Sequence, residues 1–246
     1  LFNGEYTSLG LKIDLKDTLS IRESIIRNTT REFAPDLFLV DKEPLGLKGE
    51  MTDTLRMLKG TGTKTILGLR DIMDEPTLLK REWAGRDMLS AMDDLYDDTW
   101  IYGLEEFFNP LTTMDVTPAL RDKIIYTGYL PRSLPKEHHQ PEKLDMEEPY
   151  ILVTPGGGGD GATMVDWVMR AFEGDDAPPF GALMVLGPFM PPELRAEFMD
   201  RAAKLDRVEV ISFDSRMEVL MANSVGVISM GGYNTFCEIL SYDKRA

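Results

Sequence analysis

Residues Ile151-Leu152-Val153-Thr154-Pro155-Gly156-Gly157-Gly158-Gly159-Asp160-Gly161-Ala162 decide how the rest of this chain is read. The apolar run at 151–153 reads as a buried strand. Val165, Val168, Met169 and Phe172 then fall at i, i+3, i+4 and i+7, the spacing of one helix face, and Gly174 stops that helix. The glycine run lies between strand and helix. Glycine turns with positive φ and lets the backbone come close to a ligand. A helix starting near Ala162 points its free N–H groups and its positive dipole end into the loop, which makes an anion site without lysine. No Lys-Ser/Thr follows, so this is not a Walker phosphate loop. Nor is it the dinucleotide fingerprint at the start of a domain, with a ribose acid about 20 residues later. The alternative is a tight turn that merely needs glycine. Four glycines in a row exceed that need, and a phosphate or pyrophosphate is expected near this loop.

The same strand–helix alternation extends outward in both directions. Downstream, strands are expected at Leu183–Leu186, Val208–Phe213 and Val225–Ser229. Pro191-Pro192 start a helix that carries Leu194, Phe198 and Ala202. Ser215 with Glu218 forms a capping box, and Phe236, Ile239 and Leu240 line a last helix. Upstream, a capping box at Ser20 and Glu23 opens a helix with Ile21, Ile25, Ile26 and Phe33 near one face, stopped by Pro35. Strands follow at 37–40, 65–69, 100–102 and 124–127, with helices carrying Met51, Leu55 and Leu58 and spanning 85–96.

Residues 131–149 break the alternation, with Pro131, Pro135, Pro141 and Pro149 set among charges, which is a linker composition. Apolar strands alternating with helices imply parallel sheets covered on both faces. The expected architecture is α/β, with two Rossmann-like domains at 1–130 and 150–246 joined by a linker at 131–149. Ligands in such folds bind at the carboxyl ends of strands, and a cleft between domains is a common place. The chain begins at Leu1 rather than Met, Leu1 to Leu11 reads as a mid-protein loop, and it stops at Lys244-Arg245-Ala246, where another strand is due. Both domains are therefore expected to be incomplete.

A second glycine turn occurs in Ser229-Met230-Gly231-Gly232-Tyr233-Asn234-Thr235-Phe236-Cys237-Glu238, again between strand and helix. Gly231 and Gly232 would expose N–H groups at a helix start. Glu238, one turn on, could accept two hydrogen bonds from a ribose diol. Thr235 and Glu238 also have capping-box spacing, so Glu238 could instead satisfy a helix end. At Ile211-Ser212-Phe213-Asp214 the aromatic ring could pack on a nucleobase and the next amide could read its edge; the competing reading is a core Phe.

Composition narrows the function classes. The 246 residues carry a formal net charge of −15, which repels a phosphate backbone, so nucleic acid is not an expected partner. No apolar run is long enough to span a bilayer and no signal peptide is visible. The single cysteine, Cys237, excludes an internal disulfide framework and fits a cytoplasmic protein. His138-His139, adjacent in the linker, are poorly placed to share a metal. Asp93, Asp94, Asp97 and Asp98 read as a solvated acidic helix end without Ca²⁺-loop spacing. Arg70-Asp71 and Lys42-Glu43 end first-domain strands, where they could meet a ligand or form surface ion pairs. No Asp-x-Asp occurs, which argues against metal-dependent transferases of the GT-A type.

Taken together, the glycine loop at 154–161, Phe213-Asp214-Ser215-Arg216-Met217 and the string from Ser229 to Glu238 resemble the C-terminal domain of MurG-like glycosyltransferases of family 28. Thr127-Gly128-Tyr129-Leu130-Pro131-Arg132 resembles their interdomain crossover. The likeness covers residues 124–246 well and 33–75 loosely. It implies a GT-B fold, a UDP-sugar donor held mainly by residues 150–246, no metal or other cofactor, and transfer of the sugar to an acceptor hydroxyl. By position it implies Gly157, Gly158 and Gly159 near the donor pyrophosphate, and Phe213 and Asp214 flanking the base. It also implies Gly231, Gly232, Tyr233 and Asn234 at the phosphates and Glu238 on the ribose. The catalytic base of the family would lie upstream of Leu1. Gly-Gly-Tyr-Asn-Thr is bulkier than the family's usual stretch. A nucleotide-sugar epimerase or hydrolase on the same scaffold, or a non-catalytic nucleotide-sugar-binding protein, are the alternative readings.

Overall fold

The computed structural model describes residues 13–73, 75–84, 87–134, 149–157 and 159–246. The chain forms two compact units, Leu1–Leu130 and Pro131–Ala246. Most of the proline-rich stretch, with His138 and His139, and also Gly158 and Leu1 to Leu11, lie outside the described residues.

The first unit runs α1 (Leu15–Phe33), β1 (Leu37–Asp41), a 3₁₀ turn (Leu47–Gly49), α2 (Thr52–Leu58), β2 (Lys64–Arg70), α3 (Pro76–Ala84), α4 (Met88–Leu95), β3 (Asp98–Tyr102), α5 (Pro118–Asp122) and β4 (Ile124–Tyr126). The four strands are parallel in the order β1-β2-β3-β4. Helix α1 begins earlier than Ser20: Asp14 is its N-cap and accepts a hydrogen bond from the Asp17 N–H at 2.7 Å. Ser20 and Glu23 therefore lie inside the helix and cap nothing. Ala34, left-handed at φ 46°, closes it ahead of Pro35. The helix expected over 85–96 is α4, which follows Asp87 at φ 50°, and the separate helix α3 precedes it.

Side chains alternate across each strand, which separates the two faces of this sheet. Val40, Leu67, Leu69 and Ile101 point to one face and pack under Leu55, Leu79, Met92 and Leu120 of the helices. On the other face Ile66 and Tyr102 of the central strands are buried, while Leu37, Leu39 and Ile125 of the edge strands are 50%, 41% and 46% exposed. Cover on both faces thus holds at the centre of this sheet and thins at its edge strands among the described residues. The apolar residues Ile21, Ile25 and Phe33 of α1 are likewise exposed, and the helix buries only Thr30. The acidic run at 93–98 is not simply solvated either. Asp97 accepts from the Thr65 N–H at 2.7 Å, Asp93 pairs with Lys123 at 3.3 Å and Asp98 with Lys64 at 3.2 Å.

The second unit runs β5 (Tyr150–Thr154), α6 (Ala162–Glu173), β6 (Gly181–Val185), α7 (Pro192–Ala202), β7 (Val208–Ile211), α8 (Met217–Asn223), β8 (Gly226–Ser229) and α9 (Tyr233–Ser241). Its strands are all parallel in the order β7-β6-β5-β8. This sheet is covered on both faces. Val153, Ala182 and Met184 pack with Val165, Met169 and Phe198 on one side. Leu152, Leu183 and Val185 pack with Leu220, Met221 and Ile239 on the other. Two expectations are corrected here. The residue at the N-cap position of α8 is Arg216, with no side-chain cap bond, so Ser215 and Glu218 form no capping box. Helix α9 buries Cys237 and Ile239, while Phe236 and Leu240 stay exposed.

Candidate functional site

The strand order of the second unit fixes where a ligand can sit. The chain builds β5, β6 and β7 outward in one direction and then returns to place β8 on the free side of β5. Loops leaving β5 and β8 therefore diverge at their carboxyl ends and open a crevice at this switch point. Both glycine turns leave these two strands. Thr154 and Ser229, the last residues of β5 and β8, are register partners. Each side-chain hydroxyl accepts a hydrogen bond from the glycine N–H two residues on: Gly156 to Thr154 and Gly231 to Ser229, both at 3.3 Å. Gly156 and Gly231 share a left-handed conformation, at φ 73° and 72°. The two turns are thus the same local design repeated on neighbouring strands.

Each turn feeds a helix whose start lacks a side-chain cap, Gly161 before α6 and Gly232 before α9. Both positive dipole ends lie at this edge of the sheet. Glycine is needed at Gly161 for packing, because a Cβ there would overlap Pro155. Gly232 is different. Its φ of −59° and ψ of 144° suit any residue, and a Cβ would meet nothing within 4 Å. Gly159 also faces open space. Neither conformation nor packing within the described residues explains glycine at 159 or 232.

A pocket of about 220 Å³ lies at the same end of the sheet, lined among others by Thr154, Gly156, Gly187, Phe213, Met217 and Glu238. Phe213 is 63% exposed on this pocket, so it is not a core residue. The Asp214 carboxylate is committed elsewhere. It accepts from the Arg216 backbone N–H at 2.7 Å and from its guanidinium at 2.9 Å, and this pairing holds its pKa below the usual carboxylate range. Asp214 can meet a ligand here through its backbone, not its side chain. Glu238 does not cap α9, which starts at Tyr233, so the capping-box reading of Thr235 and Glu238 fails. Glu238 lines the pocket, half-buried. Burial raises its pKa, the neighbouring Glu218 adds to the rise, and Arg132 opposes it. Tyr233 and Asn234 occupy the first turn of α9.

The sequence reading missed the loop after β6. Gly187 stands at φ 85°, and a Cβ there would overlap the Gly156 carbonyl and lie 2.7 Å from that of Gly157. This loop locks against the first glycine turn, and its signal was the Gly-Pro pair directly after an apolar strand. In the first unit Asp71 is buried. Its carboxylate accepts from the Ile72 N–H at 2.7 Å and the Tyr129 hydroxyl at 2.6 Å, so it pins the chain rather than facing a ligand. Arg70 approaches Asp41 at 3.8 Å. A larger hollow of about 380 Å³ in that unit is lined by Pro35, Asp36 and Thr63, at the amino ends of β1 and β2, the opposite end from that used for ligands in parallel sheets. Among the described residues no group of three His, Cys, Asp or Glu could hold a metal ion, and no helix is long and apolar enough to cross a membrane.

No protein-family model matches the sequence, and no curated protein matches it. Solved structures match the fold. A Listeria monocytogenes protein assigned as a UDP-N-acetylglucosamine 2-epimerase aligns with TM-score 0.60 and 15% identity over 92% of this chain and 59% of its own. A UDP-glucosyltransferase from Polygonum tinctorium aligns with TM-score 0.61 and 12% identity over 97% and 66%. The UDP-GlcNAc 2-epimerase of Methanocaldococcus jannaschii aligns with TM-score 0.58 and 11% identity over 95% and 66%. At such identities the likeness is one of fold, and the chain spans 59–66% of the length of these proteins. The chain is an α/β protein of two parallel-sheet, Rossmann-like units, the GT-B type.

Proposed function

We propose that this chain is part of a nucleotide-sugar enzyme, a glycosyltransferase whose donor is a UDP-sugar held by residues 150–246. The observation that carries the reading is the pair of matched glycine turns on β5 and β8, each opening toward an uncapped helix start at the switch point. In this reading Gly157, Gly158 and Gly159 approach the diphosphate from one side. Gly231, Gly232, Tyr233 and Asn234 approach it from the other. Phe213 and the Asp214 backbone flank the base, and the Glu238 carboxylate accepts from the ribose hydroxyls. The MurG-like character of the three loops supports UDP as the nucleotide.

The chemistry assigned to these residues is leaving-group stabilisation. As the bond between sugar and diphosphate breaks, negative charge grows on the phosphate oxygens. Fixed amide dipoles already aimed at that position need no reorganisation to stabilise it, and no metal is required. The acceptor hydroxyl attacks the anomeric carbon and loses its proton to a general base.

A second reading, an epimerase on the same donor, is supported by the presence of UDP-GlcNAc 2-epimerases among proteins of this fold at comparable TM-scores. Calorimetric titration of the chain with UDP, with and without EDTA, tests the shared core of both readings. Saturable binding that survives chelation is expected. Absence of binding, or its abolition by EDTA, overturns the proposal. Product analysis with UDP-GlcNAc then divides the two: an epimer formed without acceptor marks the second.

A further inference from the structure

Phe189 is an exposed aromatic on a loop that has every sign of rigidity. Gly187 is wedged under the first glycine turn, where no side chain fits. The Gly187 N–H donates to the Ser212 carbonyl at 3.0 Å, and the Phe189 N–H donates to the Gly157 carbonyl at 2.9 Å. Met190, the next residue, is 1% exposed and anchors the loop in the core. The Arg195 guanidinium donates to the Pro188 and Met190 carbonyls at 3.3 and 3.1 Å, clamping the loop from α7. Yet the Phe189 ring is 75% exposed. A loop this well fixed loses little entropy by presenting an apolar ring to solvent, and gains nothing in folding from doing so.

Its position gives the ring a use. Gly187 and Pro188 line the pocket that holds Phe213 and Glu238. A Cβ placed on Gly157 would lie 3.2 Å from Cδ2 of Phe189, so the ring stands against the first glycine turn. Strand β6 lies between β7 and β5, so this loop sits between the one bearing Phe213 and the one bearing Gly157. The hydrogen bond from Gly187 to Ser212 ties it to the residue directly before Phe213. Two exposed aromatics thus rise from adjoining, mutually bonded loops beside one pocket.

We infer that Phe189 is a binding residue for the nucleobase of the ligand, forming with Phe213 an aromatic wall against which the flat base packs. The inference rests on the nucleotide reading above and adds a residue that the reading does not contain. Every base has a π-face, so a ring at this position contributes affinity. Because the ring stands against the Gly157 turn, the base lies beyond it, on the side of the pocket that holds Phe213.

The test uses the whole chain and three probes: UMP, UDP and UDP-GlcNAc. The unaltered chain is titrated first. If it binds none of the uridine nucleotides, the nucleotide reading has failed and this proposal falls with it. If it binds them, Phe189→Ala should weaken UMP, UDP and UDP-GlcNAc by the same factor, roughly tenfold, with an unchanged melting temperature. Phe189→Trp should retain uridine binding and report it as a change in emission. Unchanged UMP and UDP affinity in a folded Phe189→Ala overturns the proposal. Loss confined to UDP-GlcNAc overturns it too, because the ring would then serve the sugar.

Discussion

Glu238 carries two opposed energies in one side chain. Burial, and then the charge of Glu218, raise its pKa in the folded chain, against the pull of Arg132. A carboxyl group raised above its unfolded value favours the folded state below the ordinary carboxylate pKa and loses that contribution as pH rises through the raised value. Keeping Glu238 ionised at neutral pH therefore opposes folding. Glu238→Gln should raise the melting temperature at neutral pH, and the gain should vanish below about pH 4. An acid-stable gain would show that the carboxylate is not strained by its site. The ribose contact pulls the other way: Glu238→Ala should weaken UDP binding by about 1–3 kcal/mol by calorimetry.

The glycines divide at the same scale. Gly232→Ala enters open space at an ordinary φ, so it should leave stability unchanged or raised by about 0.4–1 kcal/mol while weakening UDP binding. Gly187→Ala meets backbone carbonyls at positive φ and should cost more than about 1 kcal/mol in denaturant unfolding. The glycine-rich loops were legible because four adjacent glycines have no local explanation. Which glycine serves packing and which serves a ligand was not legible, because that depends on Pro155 and Gly157, brought close only by folding.

Among the elements, strands were read more reliably than helix ends. A buried parallel strand announces itself as a continuous apolar run, and Leu152, Leu183 and Leu67 are fully buried, as their runs imply. Helix starts failed where two capping signals compete. Ser20 lost to Asp14 because helix-forming residues extend back to Leu15, and near Ser215 the helix starts later, at Met217, behind an Arg216 whose N–H donates to the Asp214 carboxylate. Strand order was not legible at all, since crossover packing rather than local sequence places β8 beside β5. That placement brings Thr154 and Ser229 into register. The unequal faces of the first sheet give a prediction at this scale. Leu67→Ala, at a fully buried site, should cost about 2–5 kcal/mol in denaturant unfolding. Leu39→Thr, 41% exposed one strand away, should stay within about 0.5 kcal/mol. Equal costs would mean that the second face is sealed.

For the whole molecule, the formal charge of −15 and an anionic ligand conflict only if the long-range field decides binding. Amide dipoles act within a few ångströms, while repulsion from distant carboxylates is screened over about 8 Å at physiological salt. Raising salt from low to physiological strength should therefore preserve or strengthen UDP affinity. A steep loss with salt would point to a basic cluster as the true anion site.

The central claim is that two loops, leaving neighbouring strands at a topological switch point, grip one diphosphate through their backbone. Amide NMR during a UDP titration reads both loops at once. The account predicts that Gly156, Gly157 and Gly159 shift together with Gly231, Gly232 and Tyr233, all with one midpoint. Shifts on a single loop, or shifts centred on Asp36 and Thr63 at the amino ends of β1 and β2, would contradict it.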